Sequence, residues 1–474
     1  MPWIVGLLAM LRALAASTAL LNDPDTYLHI AAGRWMLTHR ALPSPDPFSF
    51  SMVGAPWHPS EWLGEIALAR IYDLGGWGPV IAAAAACFGV AIGLLCRFLA
   101  RRIDPLAAAL SALAGAVLVL PHLLARPHVF ALPLMVLWCG AVFAARDERR
   151  RPPWALLWVM LVWTNLHGSF LFGIALAGYL GGEAVLTARG WPERLVIARD
   201  WAAFVLAAAA VSLINPNGVT AIIQPFRLMA MPALQSGFGE WQPADLAQFP
   251  ALAGWVLGAA ALVVAGWRSL PWSRLLLLLG LACMAMMHVR HADLLGLVGP
   301  LAVAAPLAPR LGAWLGPAAT SPLLRGAASL AAPARVTGVL AAIALGVAAS
   351  VPALLRPIDR SHDAVTPQAA LAAARDRHLA GPVFNSEAFG GYLAFSGVPA
   401  FIDGRVELYG NDFLAAYLAA ERGDAAMLSS LLDRYHIAWS LVQAQAPVAT
   451  ALERLPGWRL VHTDDRAVVY ARGD

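Results

Sequence analysis

Eleven stretches of this chain are apolar over close to the length that crosses a bilayer: 3–21, 78–96, 105–120, 129–145, 153–163, 169–186, 201–214, 250–267, 275–287, 294–308 and 336–355. A helix rises about 1.5 Å per residue, so roughly 20 apolar residues traverse the hydrocarbon. The pattern predicts a polytopic α-helical membrane protein of about eleven spans. Composition agrees, with 59% hydrophobic and 13% charged residues against roughly 25% charged in a soluble domain. An ordinary soluble enzyme and a disordered chain are both excluded. The cysteines (Cys87, Cys96, Cys139, Cys283) all fall in apolar runs and form no CxxC pair. Neither a disulfide framework nor a zinc site is expected.

The region 153–186 is too long for one span and carries Asn165, His167 and Gly168 near its middle. It reads as two short helices meeting at a polar turn, which is tolerated at membrane depth where protein or water satisfies the backbone. The arginines support that reading. With a cytoplasmic N-terminus, fifteen arginines fall in the loops 97–104, 146–152, 187–200, 268–274 and 309–335. Six fall in 22–77, 121–128, 164–168, 215–249 and 288–293, which together are much longer. This is the positive-inside pattern. It puts residues 357–474 on the outer face of the inner (plasma) membrane, which in a Gram-negative cell is the periplasm. The basic balance, 33 basic against 29 acidic side chains, is then a topological signal, and no nucleic-acid partner is expected. Arg12 lies midway along the first span and is expected to face the bundle interior. A signal peptide with Ala13–Leu21 as its core is the competing reading, but no small-residue cleavage site precedes Asn22, and a retained span is favoured.

Two soluble parts stand out. In the loop 22–77, Thr26–Thr38 and Ser60–Leu74 read as amphipathic helices lying on the outer membrane surface, the first N-capped by Asp25 and the second carrying Glu61 and Glu65 on its wet face. Residues 357–474 read as a small α/β domain, set apart from a transmembrane domain over 1–356. Strands are expected at Pro382–Asn385, Ala400–Asp403, Ala438–Val442, Arg459–Thr463 and Ala467–Tyr470, and helices at Asn411–Glu421 and Ala425–Tyr435. Asp464-Asp465-Arg466 reads as a hairpin turn. Asp403 and Arg405 are expected to pair across a turn, and 309–335, rich in Ala, Pro, Gly and Ser, to be a linker.

The polar residues that packing does not explain gather in the outer turns. They are Asp23 and Asp25, then His58, Glu61 and Glu65, then Arg126 and His128, then Asn165 and His167, then Asn215 and Asn217, then Glu240, Trp241 and Gln242, and finally Arg290 and His291. Such one-sidedness implies a wet cavity walled by helix ends. There a carboxylate can act as general base or hold a divalent ion, and Arg or His can neutralise a phosphate leaving group.

The residues Asn22-Asp-Pro-Asp-Thr-Tyr-Leu-His29, Gly33-Arg-Trp35, Pro45-Asp-Pro-Phe-Ser49 and Glu61-Trp-Leu-Gly-Glu65 resemble the first outer loop of bacterial GT-C membrane glycosyltransferases. The resemblance is to a branch distantly similar to oligosaccharyltransferase catalytic subunits. Arg126-Pro127, Asn165-Leu-His-Gly168, Asn215-Pro216, Glu240-Trp-Gln242, Gly390-Gly-Tyr392 and Asp403-Gly-Arg405 resemble it too, so that nearly the whole chain is covered. The resemblance implies transfer of a sugar from a polyprenyl-phosphate donor to a glycan, lipid or protein acceptor, with an Asp of the first outer loop as catalytic base or metal ligand. Asp25 matches that position best and Asp23 second; a divalent cation such as Mg²⁺ or Mn²⁺ would sit on this pair. Arg290, His291 and Arg126 are then the candidates for the donor phosphate, and His58, Glu61, His128, Asn165, His167, Glu240 and Trp241 for the remaining substrate contacts. The oligosaccharyltransferase soluble-domain signature has no counterpart, so peptide-Asn transfer is not implied.

Each residue has a plainer reading beside this one. Asp25 can be an N-cap, Asp23 a turn residue, Arg126 and Arg290 snorkelling side chains, His128 and His167 interfacial histidines, and Trp241 an interface anchor. The competing function is a lipid-linked substrate transporter or flippase. That reading expects inverted repeats and ionisable residues on both sides of the midplane.

Overall fold

The computed structural model describes residues 1–315, 336–355 and 357–473. Each of the eleven apolar runs is helical. The body begins with α1 (Pro2–Ala15), and two helices of the first loop follow, α2 (Asp25–His39) and α3 (Trp62–Asp73). Next come α4 (Trp77–Leu99), α5 (Pro105–Val119), α6 (His128–Asp147), α7 (Leu156–Thr164), α8 (Phe170–Leu186) and α9 (Trp191–Ser212). The body closes with α10 (Pro250–Gly266), α11 (Trp272–Met287), α12 (Ala292–Leu315) and α13 (Val336–Leu355). Among the described residues, 6 helices are long and apolar enough to cross a membrane unaided, and four of the others are shorter apolar helices. The protein is a multi-pass membrane protein.

Local sequence explains the helix ends. Asp104 caps α5 by accepting from the Leu106 and Ala107 amides at 2.8 and 3.3 Å, with Pro105 supplying the preset first residue. In lipid, helices associate by close packing of small residues. Gly6 of α1 lies so near Gly89 of α4 that a Cβ would come within 2.4 Å of the Gly89 carbonyl. Gly115 of α5 meets Gly296 of α12 in the same way, at 2.3 Å. The 153–186 region is two helices, as expected, joined by the turn 165–169.

Several expectations change. Arg12 does not face the interior: α1 ends at Ala15, and Arg12 is exposed in its last turn, where a cation complements the helix C-terminus. The loop 187–200 is mostly the start of α9, which opens at Trp191-Pro192. Helix α12 runs on to Leu315, into the expected linker, and residues 316–335 lie outside the described residues. Arg274, placed by sequence in an inner loop, is buried. It donates to Glu183 at 2.8 Å and to Asp147 at 2.9 Å, while Arg146 pairs with Glu183 at 3.0 Å. Removing one member of a buried ion pair strands the other. Arg274→Met is therefore expected to lower stability by about 3 kcal/mol, part of the charge on Glu183 still being met by Arg146. Thermal unfolding of the purified protein in detergent measures this, and an unchanged midpoint would contradict it.

In the tail, β1 (Val383–Asn385), β2 (Trp439–Gln443), β3 (Trp458–Thr463) and β4 (Ala467–Arg472) form one sheet in the order β1-β2-β4-β3. Strands β1 and β2 are parallel and the other pairs antiparallel. The β3–β4 hairpin closes at Asp464, whose carboxylate accepts from the Arg466 and Ala467 amides at 2.8 Å each. Helices α14 (Glu387–Phe395), α15 (Val406–Glu421) and α16 (Ala425–Arg434) share apolar cores with the strands. Ala400–Asp403 is not a strand of it. Ala400 instead bridges Ser49 of the first loop, exchanging backbone hydrogen bonds with Phe48 and Phe50. Its partner lies some 350 residues upstream, where local pattern carries no information.

The first loop is thus held between bundle and tail. Helix α2 buries residues on most of its circumference, Tyr27, Leu28, Ile30, Ala32 and Met36 among them, and packs on both α3 and α14. The expected surface helices are interior elements, and Glu65, read as wet, is 2% exposed. Arg405 forms a buried triad that ties the tail to the loop. It donates to Asp403 at 2.6 and 2.8 Å and reaches Asp46 as well, so the expected Asp403–Arg405 pair has a third member.

Candidate functional site

Helix α2 starts directly after Asp23-Pro24, and this local geometry sets the roles of the two aspartates. Asp25 is not the N-cap. It is the first helical residue, and its carboxylate takes no backbone amide of the first turn. Asp23 does the capping, its Oδ1 accepting from the Asp25 amide at 2.8 Å.

Arg126 is delivered to both acids by the turn before α6, which is pinned to the end of the first span by the Ala125 amide on the Leu20 carbonyl at 2.8 Å. Its guanidinium holds both oxygens of buried Asp23, with Nη2 on Oδ1 at 2.8 Å. The same Nη2 lies 3.2 Å from Asp25 Oδ2, and Nη1 lies 3.7 Å from Glu240. Glu240 in turn meets Arg290 at 3.1 Å, and Arg290 sits over the Trp241 ring at 4.4 Å. A continuous line of charge therefore runs from Asp23 and Asp25 through Arg126 and Glu240 to Arg290, joining four separate turns.

Asp25 is the reactive-looking acid. Burial, opposed by Arg126 and reinforced by Asp23, pushes its carboxyl up to about 6. Its Oδ1 has no hydrogen-bond partner among the described residues and lies against Gly404, where a Cβ would come within 1.9 Å. Gly391 touches the same turn, since a Cβ there would meet the Pro24 carbonyl at 2.2 Å. The Gly-Gly and Asp-Gly-Arg segments of the tail thus let its backbone close on the start of α2.

A second cluster lies one turn further along α2. His29 Nδ1 is 3.1 Å from Glu65, and His29 Nε2 is 3.9 Å from Glu61. Glu61 is 3.5 Å from His167 Nε2, and the His167 ring is 6.1 Å from that of His128. Burial alone would lower the His29 imidazole; Glu65 by hydrogen bond and charge, with Glu61 and Asp25 adding, raises it to about 9. Burial pushes Glu61 up to about 7 against the pull of His29. Burial and the charges of Arg290 and Arg126 push His167 down to about 3, so it is neutral. His167 Nδ1 accepts from the Ser169 amide at 3.2 Å, which leaves its proton on Nε2, facing Glu61.

Other sequence-selected residues have plainer places. Asn165 brackets helices, accepting from Trp62 at 2.7 Å and donating to the Leu161 and Ile214 carbonyls at 2.8 and 3.1 Å. Asn217 donates to the Pro59 carbonyl at 3.0 Å. His291 Nδ1 faces the Met284 carbonyl at 3.3 Å. His58 is exposed and joins neither cluster. Sequence reasoning missed His29 and Glu387. His29 was legible, since it follows Asp25 by four residues and so shares its helix face. Glu387, at the start of α14, carried no local signal; burial and then the charge of Asp25 push its carboxyl well above the usual range.

Among the described residues no group of three His, Cys, Asp or Glu side chains is placed to hold a metal ion. Both Asp23 oxygens and one Asp25 oxygen are already engaged by Arg126 or a backbone amide. The pair offers an ion one free oxygen, and in this arrangement it does not fit Mg²⁺ or Mn²⁺.

No family model matches the chain, and no curated protein matches it in sequence. Solved structures do. ArnT from Cupriavidus metallidurans, in the apo state, aligns with TM-score 0.53 and 17% identity, covering 99% of this chain and 97% of that one. The oligosaccharyltransferase of Archaeoglobus fulgidus, in a complex with Zn and sulfate, aligns with TM-score 0.54 and 13% identity, covering 100% of this chain and 73% of that one. This chain, with its membrane body and small C-terminal sheet, therefore has the fold of the GT-C membrane glycosyltransferases.

Proposed function

We propose that the protein transfers a sugar from a polyprenyl-phosphate-linked donor to an acceptor at the outer face of the inner membrane. In this reading the N-terminus is cytoplasmic, residues 1–356 form the membrane domain and residues 357–474 lie in the periplasm. One observation carries the proposal. Acids and cations from distant turns (Asp23 and Asp25, Glu61, Arg126, Glu240, Arg290) meet at one end of a body that, among the described residues, has 6 helices long and apolar enough to cross a membrane.

The chemistry follows from the roles the geometry leaves open. Asp25 has the free carboxylate oxygen and acts as general base on the acceptor hydroxyl. The acceptor oxygen bonds to the anomeric carbon as the bond from that carbon to the phosphate oxygen breaks, and the polyprenyl phosphate leaves with the electron pair. Arg290, partly exposed and paired with Glu240 at 3.1 Å, is the cation available to that phosphate. Arg126 is committed to three carboxylates and orients Asp25 rather than binding donor. No step is assigned to a metal.

The base must be ionised. kcat/KM is expected to rise with pH through about 6, where Asp25 loses its proton, and to fall again near 9 as His29 loses the charge that faces Asp25. A pH–rate profile with a lipid-linked sugar donor reads both limbs; a profile flat through pH 6 would remove Asp25 as the base.

Transport is the second reading, and one observation favours it: the buried Arg274–Glu183–Asp147 cluster puts ionisable groups at the other end of the body as well. Reconstituted vesicles separate the two. Release of polyprenyl phosphate coupled to acceptor glycosylation marks the transferase, whereas movement of intact lipid-linked sugar between leaflets without release marks the transporter.

A further inference from the structure

At the end of the body away from Asp25, a cavity of about 490 Å³ opens between the ends of α6 and α8 and the start of α9. Helix α6 begins beside Arg126 and runs for 20 residues to Asp147, so the cavity lies about 30 Å from the candidate site. Its volume falls within the range of small-molecule pockets.

Arg146, Arg149, Arg150 and Arg151 line it. Arg146 is spent on Glu183 at 3.0 Å and Thr187 at 2.8 Å, and Arg150 on Glu148 at 2.6 Å. The acids in the wall are spent too. Glu193 accepts from the Arg189 amide at 2.8 Å, and Asp200 pairs with Arg199 at 2.8 Å. Among the described residues, the guanidinium groups of Arg149 and Arg151 have no acidic or hydrogen-bonding partner, and both side chains are exposed. Two unpaired forks beside a cavity present the donor geometry that phosphate oxygens match.

The surroundings say where such a phosphate comes from. Trp154, Trp158 and Trp191 are 43%, 72% and 70% exposed around this end. Exposed tryptophans of a membrane protein collect at head-group level. Leu195 and Val196 continue the exposed apolar surface along α9, and Val196 lines the cavity itself. A ligand here meets cations and hydrocarbon together.

We propose that this cavity binds the phosphate head group of an anionic phospholipid, with Arg149 and Arg151 on its oxygens and the acyl chains along α7 and α9. The full-length protein in neutral detergent is titrated with phosphatidylglycerol, with phosphatidylcholine and with inorganic phosphate, and thermal unfolding is followed. Phosphatidylglycerol is expected to raise the unfolding midpoint and phosphatidylcholine to leave it unmoved. The double variant Arg149→Ala/Arg151→Ala is expected to need roughly thirty-fold more phosphatidylglycerol for the same rise, about five-fold for each arginine. Arg149→Lys/Arg151→Lys keeps the charge and should retain most of the response, which separates lost binding from a damaged fold. An equal response to inorganic phosphate, lost in the same alanine variant, would assign the anion site to free phosphate and overturn the lipid source. No response to phosphatidylglycerol, or one unchanged by the double substitution, overturns the site itself.

Discussion

Asp25→Asn is expected to slow glycosyl transfer by about 10²–10⁴-fold, the usual worth of a positioned general base, while leaving the protein folded. The substitution is nearly isosteric, and Asp25 carries little of the local structure: it caps no helix, and its one ionic contact is with Arg126 at 3.2 Å. What it removes is the capacity to take a proton at the unpartnered Oδ1 beside Gly404. The neighbouring acid makes the control. Asp23 caps α2 and holds Arg126 with both oxygens, so Asp23→Asn should lower stability and disturb activity together. Donor turnover measured beside thermal unfolding distinguishes the two variants. Wild-type turnover in Asp25→Asn, with the true donor and acceptor supplied, would end the case for Asp25 as base.

The largest loss of stability should come from Arg405→Ala. Arg405 is 4% exposed and satisfies two carboxylates, Asp403 and Asp46, that are themselves buried. Truncation leaves both charges without their cation in an apolar setting, at a cost of about 3–5 kcal/mol. Its guanidinium also lies over Trp57, 4.6 Å from the ring centroid. The expected result is more than a lower unfolding midpoint. Because this triad joins the first loop to the tail, the loop should become open to proteolysis between residues 40 and 60 while the membrane helices stay protected. An uncleaved loop with an unchanged midpoint would show that the remaining tail contacts, such as Tyr27 with Thr366 at 2.8 Å, hold the two parts together without it.

The roles of individual side chains divide by the range of the forces that set them. Membrane helices were legible because hydrophobicity over about 20 consecutive residues is a local property, and in lipid a helix satisfies its backbone hydrogen bonds within a single segment. The polar turn at 165–168 and the Asp464 hairpin were legible for the same reason: their partners lie within a few residues. Asp23, Asp25, Arg126, Glu240 and Arg290 stood in a longer expected set of outer-turn polar residues, His58 and His291 among them, because charges in an apolar chain require an explanation wherever they occur.

Tertiary structure alone decided what each of them does. Asp23 takes the Asp25 amide locally, but Arg126, more than a hundred residues away, decides which acid keeps a free oxygen, occupying one carboxylate fully and the other in part. Glu65 alternates as a surface residue would, yet is buried against His29 because Gly33 admits the α3 backbone, a Cβ there lying 2.1 Å from the Glu65 carbonyl. Ala400 bridges the first loop and not the tail sheet, and Glu387 reaches the neighbourhood of Asp25 only through the docking of α14 on α2. Burial and charge pairing depend on which surfaces meet across hundreds of residues, whereas the sequence by itself determined the helices, their polar ends and the kinds of side chain available there.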